Sequence, residues 1–120
     1  MALVSVIIPC YNQGQYLAES IGSVLASDHQ ELEIIVVDDG STDPETCRIL
    51  GGLDYPKTRL IRRENGGLAA ARNSGIAAAQ GRYILPLDAD DRIGSHYNSQ
   101  AVAALESSPS LGIVYSRAEK

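Results

Sequence analysis

The sequence predicts an α/β domain with a mainly parallel sheet and flanking helices. Three observations predict it. Short apolar, β-branched runs alternate with stretches of helical periodicity along the whole chain. The runs are continuously apolar, as in strands covered on both faces. The residues that punctuate them are Gly, Asp, Asn and Ser, which are turn formers. At 120 residues the chain fits a single domain with a real core. It carries no internal repeat, low-complexity tract or linker.

The elements follow in order. Residues 3–9 (LVSVIIP) form a first buried strand. Leu17, Ile21, Val24 and Leu25 share one face of a helix within 13–27, with Asn12 as its expected N-cap. Residues 32–37 (LEIIVV) are a second strand. Asp43-Pro44 reads as an N-cap followed by Pro at the first helical position, opening a helix to about Leu50 that Gly51-Gly52 stops. Residues 59–62 form a third strand, 68–79 an Ala-rich helix entered by Gly66-Gly67, and 83–87 a fourth strand. Ser95 caps an expected helix to about 107, with Ala101, Val102 and Leu105 inward, and 111–115 form a fifth strand. The predicted order is βαβαβαβαβ, with right-handed crossovers.

Composition narrows the function classes. Net charge is -5, with no Trp or Phe, which is poor material for nucleic-acid binding and argues for no nucleic-acid partner. Residues 1–60 carry 3 basic and 9 acidic groups, and 61–120 carry 7 and 6, so the arginines of the second half are candidates to meet a phosphate. No apolar run approaches a membrane span, and the N-terminus lacks a signal-peptide pattern. Cys10 and Cys47 fit a reducing compartment. His29 and His96 read as solvated surface residues.

Ligands of parallel sheets bind outside the carboxyl ends of the strands. Those ends carry Pro9-Cys10-Tyr11-Asn12, Asp38-Asp39-Gly40-Ser41, Glu64-Asn65-Gly66-Gly67 and Asp88-Ala89-Asp90-Asp91. Asp88, Asp90 and Asp91 repel one another unless a counter-charge is present. Carboxylate oxygens completed by phosphate and water are how Mg²⁺ or Mn²⁺ is held, and such an ion would bridge and neutralise a diphosphate leaving group. Asp39 can accept an N–H such as that of a uracil ring, or simply belong to a turn. Tyr11 offers a ring face for a base, or packs as an ordinary aromatic, and Pro9 offers a rigid wall. Arg72 can reach base carbonyls or phosphates, or pair with an acid at the surface. Gly66-Gly67 allow close backbone approach, and the helix they open favours an anion at its N-terminus.

Taken together, VSVIIPCYNQGQYLAESIGSVL, IIVVDDGSTD and NGGLAAARNSGIAAAQGRYILPLDADD resemble the nucleotide-sugar-binding half of the family-2 inverting glycosyltransferases. The resemblance covers essentially the whole chain and implies the GT-A fold, a Rossmann-like sheet, with residues 1–120 forming the nucleotide-diphospho-sugar-binding domain of a longer enzyme. It implies a UDP- or other nucleotide-diphosphate-sugar donor and a glycan, lipid or other hydroxyl acceptor. Asp39 would hold the base beside Pro9 and Tyr11, and Arg72 would be a further nucleotide contact. In the Asp-x-Asp motif, Asp90 would bind Mn²⁺ or Mg²⁺, and Asp88 would assist at the ribose or the metal. Members of this family run well past 200 residues and often place the catalytic base in a Glu-Asp pair. None follows Asp91 here, so the base is expected beyond Lys120 and the chain is expected to stop before the acceptor-binding part. The expected location is cytoplasmic, with room for a longer protein peripheral at the membrane. Two other readings are a non-catalytic nucleotide-binding module and a receiver-like signalling domain. A receiver carries its acidic pair after the first strand, where this chain has Pro-Cys-Tyr-Asn.

Overall fold

The computed structural model describes residues 3–94 together with 96, 97, 99, 100, 102 and 103. Four strands, β1 (Val4–Cys10), β2 (Leu32–Asp39), β3 (Thr58–Arg63) and β4 (Tyr83–Pro86), pair in the order β3-β2-β1-β4, all parallel. Three α-helices connect them: α1 (Leu17–Leu25), α2 (Pro44–Gly51) and α3 (Leu68–Ala78). The chain steps outward from β1 to β3, then returns across the sheet to place β4 on the other side of β1. Keeping one hand of crossover while reversing direction puts α3 on the opposite face from α1 and α2.

The side-chain period of two divides the apolar strands between these layers. Val4, Val6, Ile8 and Cys10 of β1 pack with Leu32, Ile34 and Val36 of β2, Leu17, Ile21 and Val24 of α1, and Leu50 of α2. Ile7, Ile35, Val37 and Ile84 point the other way and meet Ala71 of α3. Each fully buried Leu, Ile or Val contributes about 1.5–3 kcal/mol relative to exposure.

Gly75 sets the distance of α3 from the sheet. A Cβ there would stand 2.3 Å from Ile7 Cγ2 and 3.2 Å from Val37 Cγ2. Overpacking costs about 1–3 kcal/mol, against about 1 kcal/mol of helix propensity gained. Gly75→Ala is therefore expected to lower the urea midpoint at unchanged m-value, which equilibrium unfolding will check.

The α2 start is as expected: Asp43 Oδ2 accepts from Thr46 N–H at 2.9 Å, with Pro44 at the first position. The α1 start is not. Asn12 does not cap it. A 3-10 turn, Gly14–Tyr16, precedes α1, and Asn12 sits in the left-handed region at φ 55°. Its Oδ1 instead accepts from Thr42 N–H (2.8 Å) and Asp43 N–H (2.9 Å), tying the end of β1 to the head of α2. Asn tolerates this backbone, and its amide oxygen satisfies two backbone donors in the turn that leads into α2. β2 also runs further than its apolar run does, so that Asp38 and Asp39 lie inside it, whereas β4 ends one residue early, at Pro86. Residues 97, 99, 100, 102 and 103 are helical, in keeping with the helix expected after 95. Ser95, Ala101, Leu105 and the strand expected at 111–115 lie outside the described residues.

Candidate donor-binding site

The carboxyl ends of β1 and β2, the loop after β3 and the first turn of α3 line an open cavity of about 320 Å³. Pro9, Tyr11 and Asp39, which the resemblance groups together, line it with Leu68 and Ala71. Tyr11 and Leu68 are 46% and 51% exposed. Tyr11 is thus no core aromatic; it and Leu68 present open apolar faces at the cavity. Cys10 also contributes to the wall, and burial pushes its thiol pKa up, with Asp38 adding to the effect and a Gln13 backbone hydrogen bond opposing it. Both cysteines are free.

Asp39 is buried and heavily engaged. Its Oδ1 accepts from Gly66 N–H at 3.0 Å and lies 3.2 Å from Arg63 Nε. Its Oδ2 accepts from Gly67 N–H at 3.0 Å and Asn65 Nδ2 at 3.3 Å. The anion that the α3 N-terminus favours is therefore internal: a β2 carboxylate caps the helix where Gly67, at φ 95°, has no side chain to do so. Arg63 fastens the assembly by donating from Nη1 to Ala70 O (2.9 Å) and Ser74 Oγ (2.6 Å). Asp38, also buried, accepts from Ser41 N–H and pairs with Arg62 at 3.3 Å. Strand register produces both pairs, since Asp38 stands opposite Arg62 and Asp39 opposite Arg63. Sequence reasoning missed Arg63 and Asn65; the matching of an acid pair at one strand end by an arginine pair at the next was the available signal.

Beyond β4, one carboxylate oxygen from each of Asp88, Asp90 and Asp91 lies within 4.8 Å of the others. The Asp91 N–H donates to Asp88 O at 3.0 Å, closing the turn that gathers them. Hard oxygen donors at this spacing suit Mg²⁺ or Mn²⁺. Arg72 meets this turn: its Nη2 is 2.9 Å from Asp88 Oδ1. Arg72 is thus paired with an acid at the edge of the acidic turn. The segment after the turn docks on α1, where Arg92 pairs with Glu19 and Ile93 N–H donates to Ser23 Oγ at 3.1 Å. His96 Nδ1 and Ser99 Oγ reach Asp28 Oδ2 at 2.6 and 3.0 Å, and these hydrogen bonds hold the Asp28 carboxyl below its usual range. His96 is exposed, as expected. His29 is not: it is buried at 6% exposure in the turn between α1 and β2.

Residues 5–120 match the family described as Glycosyl transferase family 2. This chain belongs to that family. Its relatives include the glycosyltransferase GlyG of Streptococcus pneumoniae, 46% identical over 92 residues, covering 74% of this chain and 30% of GlyG. Among solved structures, S. aureus TarS residues 1–349 in complex with UDP superposes with a TM-score of 0.75 at 32% identity, over 89% of this chain and 32% of that one. The mannosyltransferase PcManGT of Pyrobaculum calidifontis, in complex with GDP-Man and Mn²⁺, superposes with a TM-score of 0.62 at 31% identity, over 74% of this chain and 28% of that one. The fold is that of the GT-A glycosyltransferases, and the receiver reading falls with this family assignment. The chain spans about a third of the length of these similar proteins. Among its described residues, no helix is long and apolar enough to cross a membrane.

Proposed function

We propose that residues 1–120 form the donor-binding domain of a metal-dependent, inverting glycosyltransferase that takes a UDP-sugar and serves a glycan, lipid or other hydroxyl acceptor. The observation that carries this reading is Arg72. It follows Ala71 of the cavity wall and bonds to Asp88 of the acidic turn, so an apolar slot with room for a base and a cluster of hard oxygen donors belong to one site. The TarS complex with UDP supports the uridine nucleotide, and the Mn²⁺ in the PcManGT complex supports a divalent metal.

In this reading Pro9 and Tyr11 flank the base, and Asp39 accepts its N–H. A carboxylate has about four acceptor sites; Asp39 already accepts three hydrogen bonds and lies against the Arg63 guanidinium, whose Nε–H donates to Glu64 O. The longest contact, from Asn65 Nδ2, is the one that yields, because that amide also donates to the Asp39 carbonyl at 3.0 Å. Arg72 is a further nucleotide contact, Asp88 serves the ribose or the metal, and Asp90 binds the metal. The bound ion supplies charge neutralisation of the diphosphate leaving group. None of these acids is assigned the role of catalytic base. The site faces the cytoplasm and serves cell-envelope polysaccharide synthesis, peripherally at the membrane in a longer protein.

Calorimetric titration of this chain with UDP tests the metal and the nucleotide together. Affinity is expected to fall at least about ten-fold, or 1.4 kcal/mol, when EDTA replaces Mn²⁺ or Mg²⁺. Equal affinity in both conditions removes the metal from the reading.

A further inference from the structure

Three carboxylates gathered within 4.8 Å need a counter-charge, and the structure supplies one at Asp88. Arg72 Nη2 lies 2.9 Å from Asp88 Oδ1, while Arg72 Nε is buried with no partner among the described residues. The other nearby arginine, Arg92, is drawn away to Glu19 on α1. Arg72 thus satisfies Asp88 while leaving one of its own donors unused.

We propose that Asp88 exchanges Arg72 for a divalent cation, and that the released guanidinium turns to the diphosphate of the donor. This rests on the donor-site reading above. The physical case is one of competition. A guanidinium held against a carboxylate oxygen repels a second cation at that carboxylate, and solvent at this part-exposed pair screens the repulsion to a modest size. Freed from Asp88, Arg72 offers its full fork of donors, Nε included, to phosphate oxygens that match it in geometry. Metal and nucleotide then bind with positive coupling, each raising the other's affinity by the same factor. Part of that coupling passes through Arg72 and not through direct bridging.

The test is calorimetry with Mn²⁺ alone, without nucleotide, on the wild-type chain, Arg72→Met and Arg92→Met, followed by UDP titrations at saturating Mn²⁺. Arg72→Met is expected to tighten Mn²⁺ about two- to five-fold, the size of a part-exposed ion pair, and to weaken UDP. Arg92→Met is expected not to tighten Mn²⁺. Unchanged or weaker Mn²⁺ binding by Arg72→Met overturns the exchange. So does an equal gain in Arg92→Met, which reduces the effect to net charge. If a thermal melt shows that Arg72→Met folds poorly, Arg72→Gln is read in its place with the same outcomes. A wild-type chain that binds no UDP even with metal overturns the donor reading itself. A wild type that binds both, with Mn²⁺ affinity untouched in the variant, overturns only the exchange.

Discussion

Asp39→Asn is expected to lower uridine affinity ten- to a hundred-fold while leaving Mn²⁺ binding near wild type. A hydrogen bond to a charged acceptor contributes about 1.5–3 kcal/mol, which corresponds to that range of affinity. The structure adds a second effect. Both oxygens of Asp39 accept backbone N–H groups, from Gly66 and from Gly67. Asparagine keeps one oxygen and turns an amide donor towards the other N–H. One donor at the head of α3 then loses its acceptor, at a cost of about 1–3 kcal/mol, and Arg63 loses its counter-charge. Calorimetry with uridine and urea unfolding should therefore both respond. Stability lost with uridine affinity intact would leave Asp39 as the cap of α3 and place the base elsewhere.

The second large effect concerns turnover. This chain alone is expected to bind the donor and transfer sugar about 10²–10⁴-fold more slowly than a version extended to the length of its relatives, the usual contribution of a positioned general base. The acids near the site are already committed. Asp38 is paired with Arg62, Asp43 caps α2, and Asp91 belongs to the acidic turn. Glu106 and Glu119, the last carboxylates of the sequence, lie outside the described residues. A donor–acceptor screen of the two chains side by side decides it. Matching turnover would return the search for a base to Asp38, Asp43 and Asp91.

The strand and helix order through β4 was readable because buried parallel strands need unbroken apolar runs, and LVSVIIP and LEIIVV have no other use. Position at a strand end was equally readable, which is why Pro9, Tyr11 and Asp39 were found around one cavity. Hydrogen-bond partners were not. Asn12 has the chemistry of an N-cap, but whether it serves the helix that follows or the helix 30 residues on depends on a crossover that periodicity does not encode. Asp39 presents the same difficulty. Its residue type says acceptor, while its donors come from Gly66 and Gly67 and become visible only once β2 and β3 are in register. His29 was misjudged because a histidine between two elements reads as loop, and nothing local reports that this turn is buried.

The arginines of β3 have one more consequence. Among the described residues β3 is an outer strand of the sheet, and a free edge is a template on which a second chain can add and aggregate. Arg59, Arg62 and Arg63 fill half of this six-residue strand, and each has an acidic partner in β2: Glu33, Asp38 and Asp39. Charge at such an edge discourages intermolecular strand addition, so the residues that balance the buried acids also act as gatekeepers of solubility. Engineering that strips these arginines to retune the pocket would expose the edge, and self-association would accompany any change in ligand preference.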